Sequence, residues 1–143
     1  MLLAGTSSAR AQATQGGEIR LLMLGDSITA AFGLAPSQMR ENLAAILDAL
    51  EKRNIPTLLA GMLAPPNLGA DYGRDFAGVF ETLSRERPEV IFYPFLLDGV
   101  AGNPELNQPD RIHPNRAGVE VIARRMLPVI ETLLDRVRVS AAG

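Results

Sequence analysis

Apolar residues along the chain follow two patterns: short continuous runs and longer stripes at helical spacing. The runs are residues 19–24 (IRLLML), 57–62 (TLLAGM) and 90–95 (VIFYPF). They predict three short buried strands. Helical spacing predicts helices over 36–53, 72–86 and 114–136, with a proline in the first turn of the first and last. Strictly alternating strands and helices predict an α/β fold with a parallel sheet and helices on its faces.

Each predicted helix carries an apolar stripe that would face the sheet. The stripes are Met39, Leu43, Ile46, Leu47 and Leu50; Tyr72, Phe76, Val79, Phe80 and Leu83; and Val121, Ile122, Val129, Ile130, Leu133 and Leu134. Proline and glycine predict loops over 63–73 and 96–113. In a parallel sheet, ligands bind beyond the carboxyl ends of the strands, so the loops that follow strands are where a site is expected.

Composition removes several classes of function. The 143 residues suffice for one domain, and the 14 basic residues form no stripe, so no nucleic-acid surface is expected. The chain has no cysteine and one histidine, which excludes thiolate nucleophiles and multi-histidine metal sites within one chain. No apolar run approaches the roughly 18 residues that a membrane span requires.

The two ends of the chain are polar or rich in small residues. We expect residues 1–18 to be a disordered leader or the remnant of a signal peptide, 19–137 to be the folded domain, and 138–143 to be a disordered tail. Ala11-Gln12-Ala13 fits a small-residue cleavage site, which indicates a periplasmic or secreted protein. A plain Gly/Ser/Gln-rich leader is the alternative, and the protein would then be cytoplasmic.

The first strand runs directly into GDSITAAFG, residues 25–33. Gly25 permits a tight turn, and Ser27 would then lie at the carboxyl end of a strand, where main-chain N–H groups are unpaired and the helix dipole is positive. A serine in that place can be a nucleophile whose own N–H contributes to an oxyanion hole. The alternative is that Ser27 only caps a helix.

The single histidine lies in DRIHPN, residues 110–115, at the end of the loop after the third strand. That loop opens on the same edge of the sheet as Ser27. Histidine is the side chain suited to take a serine proton near neutral pH, and Asp110, three residues before His113, is close enough to orient the imidazole. The alternatives are that His113 caps the last helix and Asp110 caps a turn.

MLGDSITAAFGL and DRIHPNRAG resemble the first and last sequence blocks of the SGNH (GDSL-type) hydrolases, and of their arylesterase, acyl-CoA thioesterase I and lysophospholipase group in particular. The resemblance covers roughly residues 19–136. It implies a flavodoxin-like three-layer α/β/α sandwich without metal or organic cofactor. It also implies that Ser27 is the nucleophile, His113 the base and Asp110 its partner, acting on small acyl esters or thioesters.

The chain departs from the family pattern in its middle. The second block, with its oxyanion-hole glycine, and the third, G-x-N-D, are both absent from the sequence. Neither Asn42 nor Asn103 has the motif around it, so only the Ser27 N–H is assigned to the oxyanion hole. A strand between the first strand and TLLAGM is expected to be missing. Either these two strands pair directly, or an exposed edge invites association with another copy.

Two functions from different classes follow. The first is a serine hydrolase in which the loop after the second strand lines the binding site for the acyl group. The alternative for this loop is that it only connects the strand to the next helix. Its residues are Met62, Leu63, Pro65, Pro66 and Leu68. The second is a catalytically impaired, shortened domain that binds a partner or oligomerises. A nucleotide-binding module is disfavoured because no G-x-G-x-x-G or Walker-type lysine follows the first strand.

Overall fold

The computed structural model describes residues 22–24 and 34–141, and of 22–24, 140 and 141 it describes the main chain alone. The elements alternate in the predicted order. They are β1 (Leu22–Leu24), α1 (Pro36–Glu51), β2 (Thr57–Ala60), a 3-10 turn (Pro66–Leu68), α2 (Ala70–Glu86), β3 (Ile91–Tyr93) and α3 (Arg116–Ala141). The leader 1–18 and the segment 25–33 lie outside the described residues.

The three described strands form one parallel sheet in the order β1-β2-β3. Leu24 pairs with Leu59 across β1 and β2, and Leu59 pairs with Phe92 across β2 and β3. β1 and β2 are therefore direct neighbours. Of the two arrangements expected for a sheet that lacks the intervening strand, the structure has the one in which the flanking strands close the gap.

β2 is buried on both faces and is the centre of the domain. Leu59 packs into a cluster with α1 and α2 whose buried members include Leu43 and Phe80. Leu58 faces the opposite side, in a second cluster with Ile91 and Met126 of α3. Successive side chains of a strand point to opposite faces, so one apolar strand joins two helical layers. The predicted α/β/α sandwich is confirmed.

The stripes of the first two helices are buried as predicted, apart from half-buried Tyr72 and from Ile46. On the last helix Leu133 is buried, and the other five stripe residues are half-buried. Ile46 is 39% exposed on α1, and Met126, which the pattern on the last helix did not include, is buried. The loop predicted over 63–73 is shorter than expected: a 3-10 turn follows Pro65, and α2 begins at Ala70. Gly69 has a φ of 89°, a conformation that glycine adopts freely, and it turns the chain into α2.

The last helix begins and ends later than predicted. Pro114 is not in its first turn; it lies in an isolated antiparallel bridge with Asn107, and α3 begins at Arg116. Asn115 is the cap, because its Oδ1 accepts a hydrogen bond from the Gly118 N–H at 3.0 Å. At the other end the helix continues to Ala141, so residues 138–141 are helical and do not belong to a disordered tail. Within the described residues, no helix has the length and apolar character to span a membrane.

Replacing Phe80 by alanine tests the core on the α1–α2 side. Phe80 is 1% exposed, so Phe80→Ala should lower the free energy of unfolding by about 3–5 kcal/mol, through lost burial and the cavity left behind. Urea denaturation followed by circular dichroism measures this change. Ile46→Ala is the control on the neighbouring helix, and we expect a loss below about 1 kcal/mol because its side chain is partly exposed. Equal losses for the two variants would contradict the assigned packing.

Candidate active site

The direction of α3 brings its first turn to the carboxyl edge of the sheet. Near its end, Arg136 Nη1 donates to the carbonyl oxygen of Glu89, which precedes β3, at 3.3 Å. Nearer its beginning, Arg125 forms an ion pair with Asp98, which follows β3. α3 therefore runs antiparallel to the strands. The residues just before Arg116 lie at the edge where the strands end, which is where sites occur in such sheets.

His113 is carried by a tight turn closed by main-chain hydrogen bonds. The Gln108 N–H donates to the carbonyl oxygen of His113 at 2.7 Å, and the Asn115 N–H donates to that of Leu106 at 2.9 Å. At the tip, the Arg111 N–H donates to the Gln108 carbonyl oxygen, and Arg111 has a φ of 59°. That left-handed conformation is costly for a residue with a side chain, so the surrounding hydrogen bonds must hold it.

The Asp110 carboxylate organises this turn. Its Oδ1 accepts hydrogen bonds from the N–H groups of Ile112 (2.9 Å) and His113 (3.0 Å), and its Oδ2 lies 2.7 Å from Nδ1 of the His113 imidazole. The D-x-x-H spacing places acceptor and ring on one turn, and the contact expected between them is present. The hydrogen bond from the His113 side chain is the largest cause that lowers the pKa of Asp110, to about 2, and the two main-chain N–H groups lower it further.

This pKa fixes the proton arrangement of the pair near neutral pH. An ionised carboxylate only accepts hydrogen bonds, so Nδ1 of His113 carries the hydrogen that lies between the two groups. In a neutral imidazole Nε2 is then the atom with a free lone pair. The His113 side chain is 56% exposed, so the ring is accessible from outside the turn. An oriented, accessible imidazole is what a general base requires.

Three residues that support this turn were not identified from the sequence. Asn115 Nδ2 donates to the carbonyl oxygens of Glu105 (2.8 Å) and Asn107 (3.2 Å), besides the helix cap made by its Oδ1. Gly118 is buried where a Cβ atom would collide with the Leu106 carbonyl oxygen. Asn107 is itself buried. An asparagine just before a helix is a sequence signal of a helix cap, and a glycine in the first turn is a signal of close approach by another part of the main chain.

The other sequence-predicted site residues are only partly placed. Ser27, its N–H and Gly25 lie outside the described residues; β1 ends at Leu24, three positions before Ser27. In the proposed acyl-binding loop, Leu63 and Leu68 are exposed, whereas Met62 packs against the α1–α2 core. Asn42 and Asn103 are located on α1 and in the loop after β3. Among the described residues, no group of three or more His, Asp or Glu side chains could hold a metal ion.

Known proteins resemble this chain over most of its length. Esterase TesA of Pseudomonas aeruginosa is 31% identical over 102 residues, which cover 71% of this chain and 50% of the relative. Thioesterase 1/protease 1/lysophospholipase L1 of Escherichia coli K12 is 31% identical over 103 residues, covering 72% and 49% respectively. No protein-family model matches the chain.

Solved structures agree with the sequence relatives. A crystal structure of TesA superposes with a TM-score of 0.69 at 29% identity, covering 79% of this chain and 62% of that one. The SGNH-hydrolase family esterase AlinE4 superposes with a TM-score of 0.53 at 42% identity, covering 73% and 55%. This chain is a relative of the SGNH hydrolases. It spans about half the length of the curated relatives it matches.

Titration of Asp110 tests the geometry of the pair directly. Its folded-state pKa is about 2 against an ordinary 3.8, so its stabilising contribution is complete above about pH 3.8 and is lost as the pH falls towards 2. We expect its carboxyl ¹³C resonance to titrate near pH 2, and in His113→Ala to move towards 3.8. Ile112→Ala, which keeps both N–H donors and the imidazole, should leave the midpoint unchanged. An identical midpoint in wild type and His113→Ala would contradict the hydrogen bond.

Gly118→Ala tests the close approach of α3 to the turn. The new Cβ atom would meet the Leu106 carbonyl oxygen, so we expect a loss of about 1–3 kcal/mol in the free energy of unfolding. Gly78→Ala on α2 is the matched control, because no atom lies within 4 Å of its added Cβ atom. It should stabilise the protein by about 0.5–1 kcal/mol, since alanine favours a helix more than glycine. Stabilisation by both substitutions would show that the approach at Gly118 is loose.

Proposed function

We propose that the chain is a serine hydrolase that cleaves small acyl esters or thioesters with Ser27, His113 and Asp110. The observation that carries the proposal is the Asp110–His113 pair, which is oriented and accessible at the carboxyl edge of the sheet. β1 ends at the same edge three residues before Ser27. Two relatives support the choice of reaction, because one is named an esterase and another a thioesterase.

In the first half of the proposed reaction, the Ser27 Oγ attacks the carbonyl carbon of the substrate while Nε2 of His113 takes its proton. The imidazolium that forms donates from Nδ1 to the Asp110 carboxylate, which stabilises its charge. Collapse of the tetrahedral intermediate breaks the bond to the alcohol or thiol. That leaving group departs with the proton from Nε2, and the acyl group stays on Ser27.

Water completes the proposed cycle by the same steps. His113 takes a proton from water, the hydroxide attacks the acyl carbon, and Ser27 leaves with the proton returned. The negative oxygen of each intermediate is assigned to the Ser27 N–H alone. The family donors of the second and third blocks have no counterpart in the sequence, and one missing donor costs about a hundredfold to a thousandfold in rate. We therefore propose a slow enzyme.

The loop after β2 is proposed to bind the acyl group. It follows a strand of the same sheet, so it opens on the same edge as His113, and acyl-binding sites are mostly apolar. Its proposed wall residues are Met62, Leu63, Pro65, Pro66 and Leu68. Exposed Leu63 and Leu68 offer apolar surface that a short acyl group of the substrate could contact. We further propose a periplasmic or secreted location, on the strength of the cleavage-site pattern at Ala11–Ala13.

A second candidate function is favoured by the direct pairing of β1 and β2. Without the intervening strand, the end of β1 lies one strand spacing, about 4.8 Å, from the arrangement that the family resemblance implies. A base and a serine must approach within about 2.6–3.2 Å. A domain in which they do not meet would be a binding or oligomerising relative that no longer hydrolyses esters.

Hydrolysis of p-nitrophenyl butyrate, an activated ester of a short acid, tests the proposed enzyme. We expect slow turnover that Ser27→Ala and His113→Ala abolish. Asp110→Asn should lower kcat by about 10⁴-fold, because it favours the wrong imidazole tautomer. Release of p-nitrophenolate, followed by its absorbance with purified protein, measures each rate.

Asp71→Asn is the control, because it makes the same chemical change on the exposed side of α2. It should retain the wild-type rate. Turnover that persists in Ser27→Ala would come from another group and would overturn the assignment. A folded wild-type chain that shows no turnover above Ser27→Ala would favour the second candidate.

A further inference from the structure

Asn115 lies two residues after His113 and bonds to three separate points of the chain. Its Nδ2 donates to the carbonyl oxygens of Glu105 (2.8 Å) and Asn107 (3.2 Å). Its Oδ1 accepts from the N–H of Gly118 at 3.0 Å. A single side-chain amide therefore ties the 105–107 segment to the first turn of α3, and the residues in between carry the imidazole.

The segment that Asn115 binds is itself anchored to the loop after β3. The buried Asn107 amide donates to the carbonyl oxygens of Val100 and Asn103, both at 2.7 Å. Val100 is fully buried beside it. The path from the sheet to His113 thus runs through a chain of side-chain amides, and Asn115 is its last member before the helix.

Asp110 cannot supply this anchorage. It orients the ring, but it lies on the same turn as His113 and moves with that turn. The imidazole is also more than half exposed, so few other side-chain contacts restrain it. The place of the base relative to the sheet must therefore be fixed through its main chain. Gln108 holds this main chain from one side, with its N–H on the His113 carbonyl oxygen and its side-chain amide on that of Pro114 at 3.2 Å, and the Asn115 side chain holds it at the start of α3.

We propose that Asn115 is a positioning residue for His113: its side-chain amide holds the main chain that carries the imidazole at the start of α3. This inference rests on the proposed function, in which His113 is the base. A base acts only within hydrogen-bond reach of the proton it abstracts. A displacement of about 1 Å at such a group can cost about a hundredfold in rate, so a remote tether can limit turnover.

Asn115→Asp separates this role from helix capping. Aspartate keeps the oxygen that accepts from Gly118, and its charge suits a helix N-terminus. It replaces the two N–H donors by an oxygen that faces two carbonyl oxygens. We expect a thermal midpoint close to wild type, faster hydrogen exchange at the Gln108 amide by about tenfold or more, and a kcat lower by up to about a hundredfold with little change in KM.

Asn103→Asp is the matched control. It makes the same change in charge within the same loop, and it keeps the Oδ1 that accepts from the Glu105 N–H at 2.9 Å. The described residues give the Asn103 Nδ2 no partner, so no tether is lost. Exchange at Gln108 and kcat should both stay at wild-type values. Asn115→Ser retains a capping oxygen and loses both amide N–H donors, and its shorter side chain holds the hydroxyl away from the Glu105 and Asn107 carbonyl oxygens. It should reproduce the effects of Asn115→Asp.

Wild-type exchange at Gln108 and wild-type kcat in both folded Asn115 variants would overturn the proposal. So would equal effects in Asn103→Asp, because they would report on added charge. If the wild-type chain hydrolyses no ester, the proposed function fails. Hydrogen exchange at the Gln108 amide alone then tests whether Asn115 holds the main chain at His113. Faster exchange in the Asn115 variants supports this role, and unchanged exchange overturns it.

Discussion

β2 is the strand on which the rest of the described structure depends, because it is apolar on both faces. Leu59 holds α1 and α2 against one side, and Leu58 and Ala60 hold α3 against the other. β2 also pairs with both other strands of the sheet. A strand buried on both sides requires two helical layers, and these two layers fix where each loop begins and ends.

The geometry of the turn that carries His113 follows from the placement of α3 on that strand. Its buried residues Met126 and Leu133 fix the helix along the sheet, antiparallel to the strands. Its first turn therefore lies at the carboxyl edge, where Asn115 ends the turn that carries His113. Asp110 then accepts two main-chain hydrogen bonds that fix its own carboxylate, and its bond with Nδ1 of His113 aligns the ring. Core packing sets the position of the turn that carries His113, and local hydrogen bonds set the orientation of its ring.

The sequence predicted those features that depend on local pattern. Continuous apolar runs located the three strands of the described residues, and the D-x-x-H spacing predicted the contact between Asp110 and His113, since both lie on one turn. The beginning of α3 was predicted wrongly. Proline suits the first turn of a helix, but Pro114 fits an antiparallel bridge equally well, and it forms one with Asn107. That bridge joins residues seven positions apart through main-chain bonds from the Gln108 N–H to His113 and from the Asn115 N–H to Leu106, which no local pattern of polarity reveals.

The direct pairing of β1 and β2 was one of two arrangements that the sequence left open. Pattern alone could not decide between them, because strand order depends on which edges meet when the helices pack. In the structure the two strands meet in register, Leu22 with Thr57 and Leu24 with Leu59. This places the end of β1 two strands from β3, about 10 Å away at the usual spacing, on the edge that also carries His113.

We propose that Ser27 and His113 meet at this edge as nucleophile and base. Labelling of the purified, folded chain with a fluorophosphonate, read by intact mass, tests it most directly, because the probe reacts with an activated serine whatever the natural substrate. We expect one label per chain, attached to Ser27 and lost in both Ser27→Ala and His113→Ala. A folded chain that takes up no label, or labelling that survives the loss of His113, would contradict it.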